Sequence, residues 1–234
     1  MSRKRLYWVV GLVLFIGIAW NYPVTYRIGV NSVVYTKNIP LYAKICGYLY
    51  RDWMYKDIVN TILADRKEDD EKKVLDILKW TNENVMLMIP KGLRVVDDHP
   101  LNIIIRQYGA NDQVEDVFTL LCAYAGFKAG MEKCSNSDRT KRIVLSFVNV
   151  NGRWLIFNAS KGKYFLNREG AIGSVADYLK GGLVLSGDDN AYYTDYMGDL
   201  KNMDFSFTRA DEQMPLRRIP IEVKKKFTEH ETVR

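Results

Sequence analysis

The chain of 234 residues carries 34 basic and 28 acidic residues, which gives a formal net charge of +6. The excess lies at the two ends, in residues 3–5 and after Leu216, so the body of the chain lacks the basic stripe of a nucleic-acid-binding domain. An apolar content of 47% excludes a disordered chain, while two histidines and three cysteines exclude most histidine-based metal sites and a disulfide scaffold.

The first apolar segment, residues 6–26, contains no charged side chain and directly follows the basic residues 3–5. Its length approaches the roughly 20 apolar residues needed to cross a bilayer, and Trp and Tyr lie near both of its ends. Because basic residues stay on the cytoplasmic side, the pattern predicts a single-pass anchor in the cell membrane with a cytoplasmic N-terminus. The bulk of the chain is then periplasmic or otherwise extracytoplasmic. A cleaved signal peptide is the alternative, although Ala19-Trp20-Asn21 makes a poor cleavage site.

The chain divides by composition into five predicted parts: a cytoplasmic basic stub (1–5), the transmembrane anchor (6–26), a helical membrane-proximal segment (27–73), one larger domain (74–215) and a basic tail (216–234). Across the boundary between the second and third parts, residues 24–37 alternate loosely and are open to interpretation as a strand or a juxtamembrane linker. The tail is interpreted either as an extended arm toward a partner or as a simple soluble terminus.

The most informative segment is the apolar run that follows Asn111. Asp112 followed three residues later by Glu115 is a capping-box pattern, which predicts the start of a helix. Nearly every position from 114 to 125 is apolar, which indicates a helix buried in the middle of its domain, and Gly126 ends it. Helical spacing of apolar residues also occurs over residues 41–63 and 74–85.

Strand patterns follow this central helix. Residues 143–150 and 153–157 are rich in β-branched and aromatic residues, and Asn151-Gly152 between them is a strong hairpin signal. A short helix is predicted around residues 174–179, whereas the aromatic-rich residues 192–207 are interpreted as a loop. Helices first, then a buried central helix, then antiparallel strands indicate an α+β domain.

Three motifs in this order resemble the transglutaminase-like branch of the papain-like cysteine enzymes. They are Tyr108-Gly109-Ala110-Asn111-Asp112-Gln113, Gly126-Phe127-Lys128-Ala129 and Asn151-Gly152-Arg153-Trp154-Leu155-Ile156-Phe157-Asn158. The resemblance covers roughly residues 74–165, under half of the chain. It implies a papain-like core, in which a buried central helix packs on an antiparallel sheet.

The resemblance also implies where catalytic groups would lie. Enzymes of this family use a thiolate nucleophile, an imidazole base and a carboxylate that orients the base. Position by position, the nucleophile falls on Asn111, the base on Ile143 (or on Arg142 after a one-residue slip) and the orienting group on Asn158. None of these side chains performs the corresponding chemistry, so the resemblance implies a degenerate triad and no catalytic residue. Binding residues are then expected at Asn111, Asp112, Asn158 and Trp154.

The predicted function is therefore a binding or scaffolding role in an extracytoplasmic envelope assembly, with a protein or an envelope polymer as partner. We expect no metal, no cofactor and no nucleic acid. The alternative is an active cysteine-dependent amidase or protease that uses a displaced thiol such as Cys134, which lies in a polar stretch, with His99 as a conceivable base. Cys122 on the apolar helix is interpreted as a core thiol. A disulfide between Cys46 and Cys134 stays open.

Overall fold

The computed structural model describes residues 3–30, 33–64, 69–88, 97–181, 183–185, 193 and 195–202. The chain forms two compact units, the first comprising residues 1–54 with 94–98 and the second comprising residues 55–93 with 99–234. The predicted basic tail, residues 216–234, lies outside the described residues.

The first unit is built from helix α1 (Arg3–Trp20), strands β1 (Pro23–Val30) and β2 (Val33–Pro40), and the first part of helix α2 (Leu41–Leu63). The two strands pair antiparallel along their whole length, from Pro23 opposite Pro40 to Val30 opposite Val33. No side chain described between residues 7 and 54 is buried.

The residues predicted as a transmembrane anchor, 6–26, do not form one continuous helix in the structure. Helix α1 ends at Trp20, and Pro23 begins a strand whose β-branched residues favour extended backbone. Among the residues that the structure describes, no helix is both long enough and apolar enough to cross a membrane. The helical segment predicted over residues 27–73 is likewise interrupted, because the β1–β2 hairpin occupies its first part and only the strand interpretation of residues 24–37 agrees with the fold.

The second unit begins with the end of α2 and continues through α3 (Asp70–Asn84), β3 (Met86–Leu87), α4 (Pro100–Arg106), β4 (Tyr108–Gly109) and α5 (Asn111–Tyr124). Strands β3 and β4 form a short parallel pair, with Met86 opposite Tyr108 and Leu87 opposite Gly109. Helix α5 is the central helix of the unit, since all of its residues from Gln113 to Ala123 are buried.

A five-stranded antiparallel sheet packs against α5. Its strands lie in chain order: β5 (Lys128–Ser135), β6 (Arg142–Val150), β7 (Arg153–Asn158), β8 (Lys163–Asn167) and β9 (Leu183–Leu185). The predicted Asn151-Gly152 hairpin joins β6 to β7, and both residues have the positive φ angles (52° and 83°) that a type I′ turn requires. Phe118 of α5 packs against Phe157 of β7 with ring centroids 5.3 Å apart. The predicted α+β architecture, a buried helix on an antiparallel sheet, is confirmed.

The other face of the sheet has its own apolar layer. Leu145 and Phe147 alternate along β6 with residues that face α5, and they join a buried cluster that includes side chains from beyond β9. We call this the distal cluster; it contains Cys134, Leu145, Phe147, Ile156, Phe165, Val175, Tyr193, Tyr196, Met197 and Leu200. Helix α6 (Val175–Leu179) and the 3-10 turn Met197–Asn202 cover this layer. Part of the segment predicted as a loop over residues 192–207 is therefore core.

Candidate functional site

A groove of about 570 Å³ opens at the N-terminal end of α5. Its walls come from the β3–β4 pair, the first residues of α5 and the adjoining ends of β5 and β6. The lining residues are Leu87, Met88, Gly109, Ala110, Asn111, Asp112, Lys133, Arg142, Ile143 and Val144. The groove thus brings together the positions that the resemblance assigns to the nucleophile, Asn111, and to the base, Ile143 or Arg142.

The start of α5 is fixed by Gln113 rather than by the predicted capping box. The helix begins at Asn111 with Ala110 as its N-cap, so Asp112 lies inside the first turn. The Gln113 side-chain oxygen accepts hydrogen bonds from the Ala110 backbone N–H (3.1 Å) and from the Arg106 guanidinium (2.7 Å). The Gln113 oxygen thereby satisfies one of the backbone donors at the start of α5, and its bond to Arg106 holds the start of the helix against the preceding turn.

Gly109 permits the close approach of β4 to α5. A Cβ atom at this position would lie 3.2 Å from both Gln113 Cβ and Ile103 Cγ2, tighter than ordinary van der Waals contact. The Tyr-Gly pair that contributed to the family resemblance therefore has a packing role in this chain. It sets the position of the groove wall directly before Asn111.

Asn158 lies at the end of β7, buried beneath the surface with 4% of its area exposed. Its amide nitrogen donates to the Tyr193 hydroxyl (2.8 Å), and its oxygen accepts from the Ser160 hydroxyl (2.9 Å) and the Lys161 N–H (3.2 Å). Asn158 thus caps the following 3-10 turn, Ala159–Lys161, and it is absent from the groove lining. Trp154, on the same strand, packs partly buried against the distal cluster and also lies outside the lining.

The sequence interpretation missed the role of Glu115. This side chain is fully buried, and its carboxylate accepts hydrogen bonds from the Ser146 hydroxyl, the Ala159 N–H (3.1 Å) and the Ser160 N–H (2.8 Å). Burial raises the pKa of Glu115 from 4.5 to about 7, although these hydrogen bonds act in the opposite direction. A carboxylate within a mostly apolar helical run is the sequence signal for such a buried role, and the capping-box pattern instead assigns Glu115 to the helix start.

Cys134 does not provide a displaced nucleophile at the surface. Cys134, expected in an exposed polar loop, lies on β5 with 0% exposure and packs in the distal cluster, because alternation along the strand turns it inward. Cys122 is buried on α5, as predicted, and burial raises the pKa of its thiol. Cys46 is exposed, and none of the three cysteines forms a disulfide, so the bond left open between Cys46 and Cys134 is not present.

His99 has a local structural role. It is the N-cap of α4, and its Nδ1 atom accepts from the Leu101 N–H at 3.4 Å. The Tyr55 hydroxyl lies 3.3 Å from the same nitrogen. Within the described part of the chain, no group of three or more His, Cys, Asp or Glu side chains is arranged to hold a metal ion.

No family model and no curated protein matches the sequence. Among solved structures, the chain is similar to a protein named "putative cysteine protease" from Cytophaga hutchinsonii, with 16% identity and a TM-score of 0.40 over 58% of this chain and 47% of that one. It is also similar to a "putative protease" from Parabacteroides distasonis, with 13% identity and a TM-score of 0.36 over 58% of this chain and 35% of that one. The chain therefore spans less than half the length of either protein.

Proposed function

We propose that this protein is a catalytically degenerate, transglutaminase-like binding domain that holds an extended peptide in the groove at the start of α5. The observation that carries the proposal is the composition of that groove. It contains the positions of the family's nucleophile and base, occupied by Asn111 and by Ile143 or its neighbour Arg142.

These side chains support binding rather than acyl transfer. A carboxamide at Asn111 is not a nucleophile, and the aliphatic side chain of Ile143 cannot accept a proton. Asn158 carries no charge to stabilise an imidazolium, and both polar atoms of its amide already hold Tyr193 and the Ala159–Lys161 turn. An open groove of about 570 Å³ nevertheless lies within the range of roughly 300–1,000 Å³ that is typical of ligand pockets.

The alternative, an amidase or protease that uses Cys134, is not favoured by the geometry. The Cys134 thiol is enclosed by apolar side chains of the distal cluster, and no part of it is exposed to substrate. A nucleophilic thiol requires an accessible thiolate near a positive charge or a base.

The test is a binding screen with the full chain and a fluorescein-labelled decapeptide library, measured by fluorescence anisotropy. Asn111→Trp places an indole in the groove, and we expect it to weaken the best binders at least tenfold. Lys79→Trp adds the same bulk to an exposed position of α3 and should leave affinity unchanged. Mass spectrometry of the same peptides after prolonged incubation under reducing conditions should show no cleavage and no transfer product.

Two results would overturn the proposal. One is the absence of any peptide whose binding responds to Asn111→Trp but not to Lys79→Trp. The other is turnover of a peptide or glutamine amide that Asn111→Ala or Cys134→Ser abolishes.

The location of the protein also remains a proposal. We place it at the cell membrane, with the second unit on the extracytoplasmic side, as a component of an envelope assembly with a protein or polymer partner. The basic residues 3–5 and the exposed apolar side chains of α1, such as Trp8 and Phe15, support membrane contact. A periplasmic reporter fused after Arg234 should be active, and activity of a cytoplasmic reporter at the same position would contradict this location.

A further inference from the structure

We infer that the groove selects acidic peptide segments, and that Lys133 and Arg142 are the residues that determine this specificity. The inference rests on the proposed function, because it names the class of peptide that the same groove would hold. It begins with the strand register. Lys133 of β5 lies opposite Val144 of β6, and Arg142 lies two residues from Val144 along the same strand.

This register places both cations on one face of the sheet. Side chains alternate along a strand, so Lys133, Val144 and Arg142 share a face, and Lys133 and Arg142 are diagonal neighbours. Like charges at neighbouring cross-strand positions disfavour each other unless an anion lies close to both. Both side chains line the groove, so an anionic group of a bound peptide would reach them from there.

The charges already present in the groove do not neutralise this pair. Asp112 is the other charged residue of the lining, and neither Lys133 nor Arg142 forms a salt bridge with it or with any other residue that the structure describes. In the neighbouring turn, the exposed Asp138 is engaged by hydrogen bonds from the Thr140 hydroxyl and backbone N–H. The groove therefore has a net positive lining within a chain whose body, residues 6–216, is neutral overall.

The remaining walls of the groove are apolar, so a bound peptide should also carry apolar side chains. Leu87 and Met88 are 38% and 59% exposed at the β3 side, and Val144 is half-buried on the opposite side, whereas the neighbouring Ile143 side chain packs against the distal cluster. Methionine adapts to irregular apolar partners. An extended peptide that alternates apolar and acidic residues complements both features, with its acidic side chains on one edge and its apolar side chains on the other.

Other anionic or internal occupants fit less well. The chain's own tail, residues 216–234, is basic and would be repelled by Lys133 and Arg142. A nucleic acid needs a longer positive surface than these two cations provide, and the body of the chain is neutral. An acidic peptide from a partner protein is therefore the occupant that we propose.

The experiment compares three labelled decapeptides on the full chain: alternating Leu and Glu, alternating Leu and Gln, and alternating Leu and Lys. We expect the Glu peptide to bind about five- to tenfold more tightly than the Gln peptide at low ionic strength, and the Lys peptide to bind most weakly. High salt should reduce the difference. The double variant Lys133→Glu/Arg142→Glu should abolish or reverse the preference. Lys79→Glu/Lys128→Glu, which changes the net charge equally at exposed positions outside the lining, should retain it.

The outcomes separate this inference from the proposed function. Equal binding of the Glu and Gln peptides, unaffected by the groove double variant but abolished by Asn111→Trp, would overturn the acidic specificity and leave the binding groove intact. A single-stranded oligonucleotide that displaces the Glu peptide and binds more tightly would overturn it in favour of a nucleic-acid ligand. Failure of every peptide in the library to bind would overturn both. Circular dichroism of each variant verifies that the fold is retained.

Discussion

The buried carboxylate of Glu115 makes the stability of the second unit depend on pH in a defined window. In the unfolded chain this group has its ordinary pKa of 4.5, whereas burial raises it to about 7 in the folded protein. Between these two values the folded state holds a proton that the unfolded chain has released. The free energy of unfolding therefore falls as the pH rises from about 4.5 to about 7, and is constant with respect to this group outside the window.

The size of the effect follows from the same two values. Each pH unit between them corresponds to about 1.4 kcal/mol, so the buried charge lowers the free energy of unfolding by roughly 3 kcal/mol above pH 7. The pKa of about 7 already reflects the hydrogen bonds from Ser146, Ser160 and Ala159, which lower it. Without them the pKa would be higher and the protein would lose more stability above pH 7. Asp177 also makes the stability depend on pH, but at lower pH. Hydrogen bonds from Ser174 and the positive charge of Arg153 outweigh burial and lower the pKa of Asp177.

Glu115→Gln is the variant that isolates this group. A glutamine is neutral at every pH, but its amide nitrogen cannot accept a hydrogen bond. In the native protein each carboxylate oxygen accepts a backbone N–H, one from Ala159 and the other from Ser160, so the variant leaves one of these donors facing an NH₂ group. We expect a pH-independent loss of about 1–3 kcal/mol from this mismatch.

Urea unfolding of both proteins, followed by tryptophan fluorescence at pH values from 4.5 to 7.5, measures the difference. We expect the wild type to lose roughly 3 kcal/mol more than Glu115→Gln across this range. Subtracting one profile from the other removes the pH dependence that comes from groups titrating in both proteins. Parallel profiles, or a wild type that gains stability relative to the variant as the pH rises, would show that Glu115 is not a buried group with a raised pKa.

Three further predictions concern packing. Gly162→Ala should lower the free energy of unfolding by about 2–3 kcal/mol in urea denaturation, because the φ of Gly162 is +62° and a Cβ atom would lie 2.9 Å from Asn82 Oδ1. The control Gly170→Ala has a φ of +82° but open space around it, so it should lower the free energy of unfolding by only about 1 kcal/mol. In the native protein Cys46 alone should react with iodoacetamide, and all three thiols should react in urea, as measured by intact mass; a second rapidly labelled native thiol would contradict the described burial. Asn158→Ala should destabilise the fold by about 1–3 kcal/mol in the same urea assay, because it removes the turn cap and a buried hydrogen bond; an unchanged midpoint would contradict this role.

The parts of the fold that the sequence predicted are those set by local signals. The apolar run in α5 and the Asn151-Gly152 turn each require only a few consecutive residues, and both elements form where the pattern indicated. Asn111 and Ile143, which the motif spacing assigns to the family site, both line the groove, and a functional role for them stays a prediction. The helix predicted over residues 6–26 ends at Trp20, because Pro23 and the strand after it interrupt it earlier than composition alone indicated.

The parts that the sequence did not predict depend on partners far along the chain. Glu115 receives its hydrogen bonds from residues 31, 44 and 45 positions later, so no local pattern distinguishes it from a cap. Cys134 lies among polar neighbours in sequence, and its burial depends on Tyr193 and the turn beyond it. Asn158 was assigned by its position in a motif, whereas its partners show that its amide serves the following turn.

The packing of Tyr193, Met197 and Leu200 against the distal cluster has a consequence for the solubility of shortened chains. Strand β5 lies at one end of the sheet order, and the Met197–Asn202 turn packs against it. A chain cut after Leu185 would uncover Cys134 and its apolar neighbours next to an unpaired strand edge, which is a template for edge-to-edge aggregation. Self-association of such a fragment is the expected result, because the residues up to about position 202 are needed to cover this apolar layer.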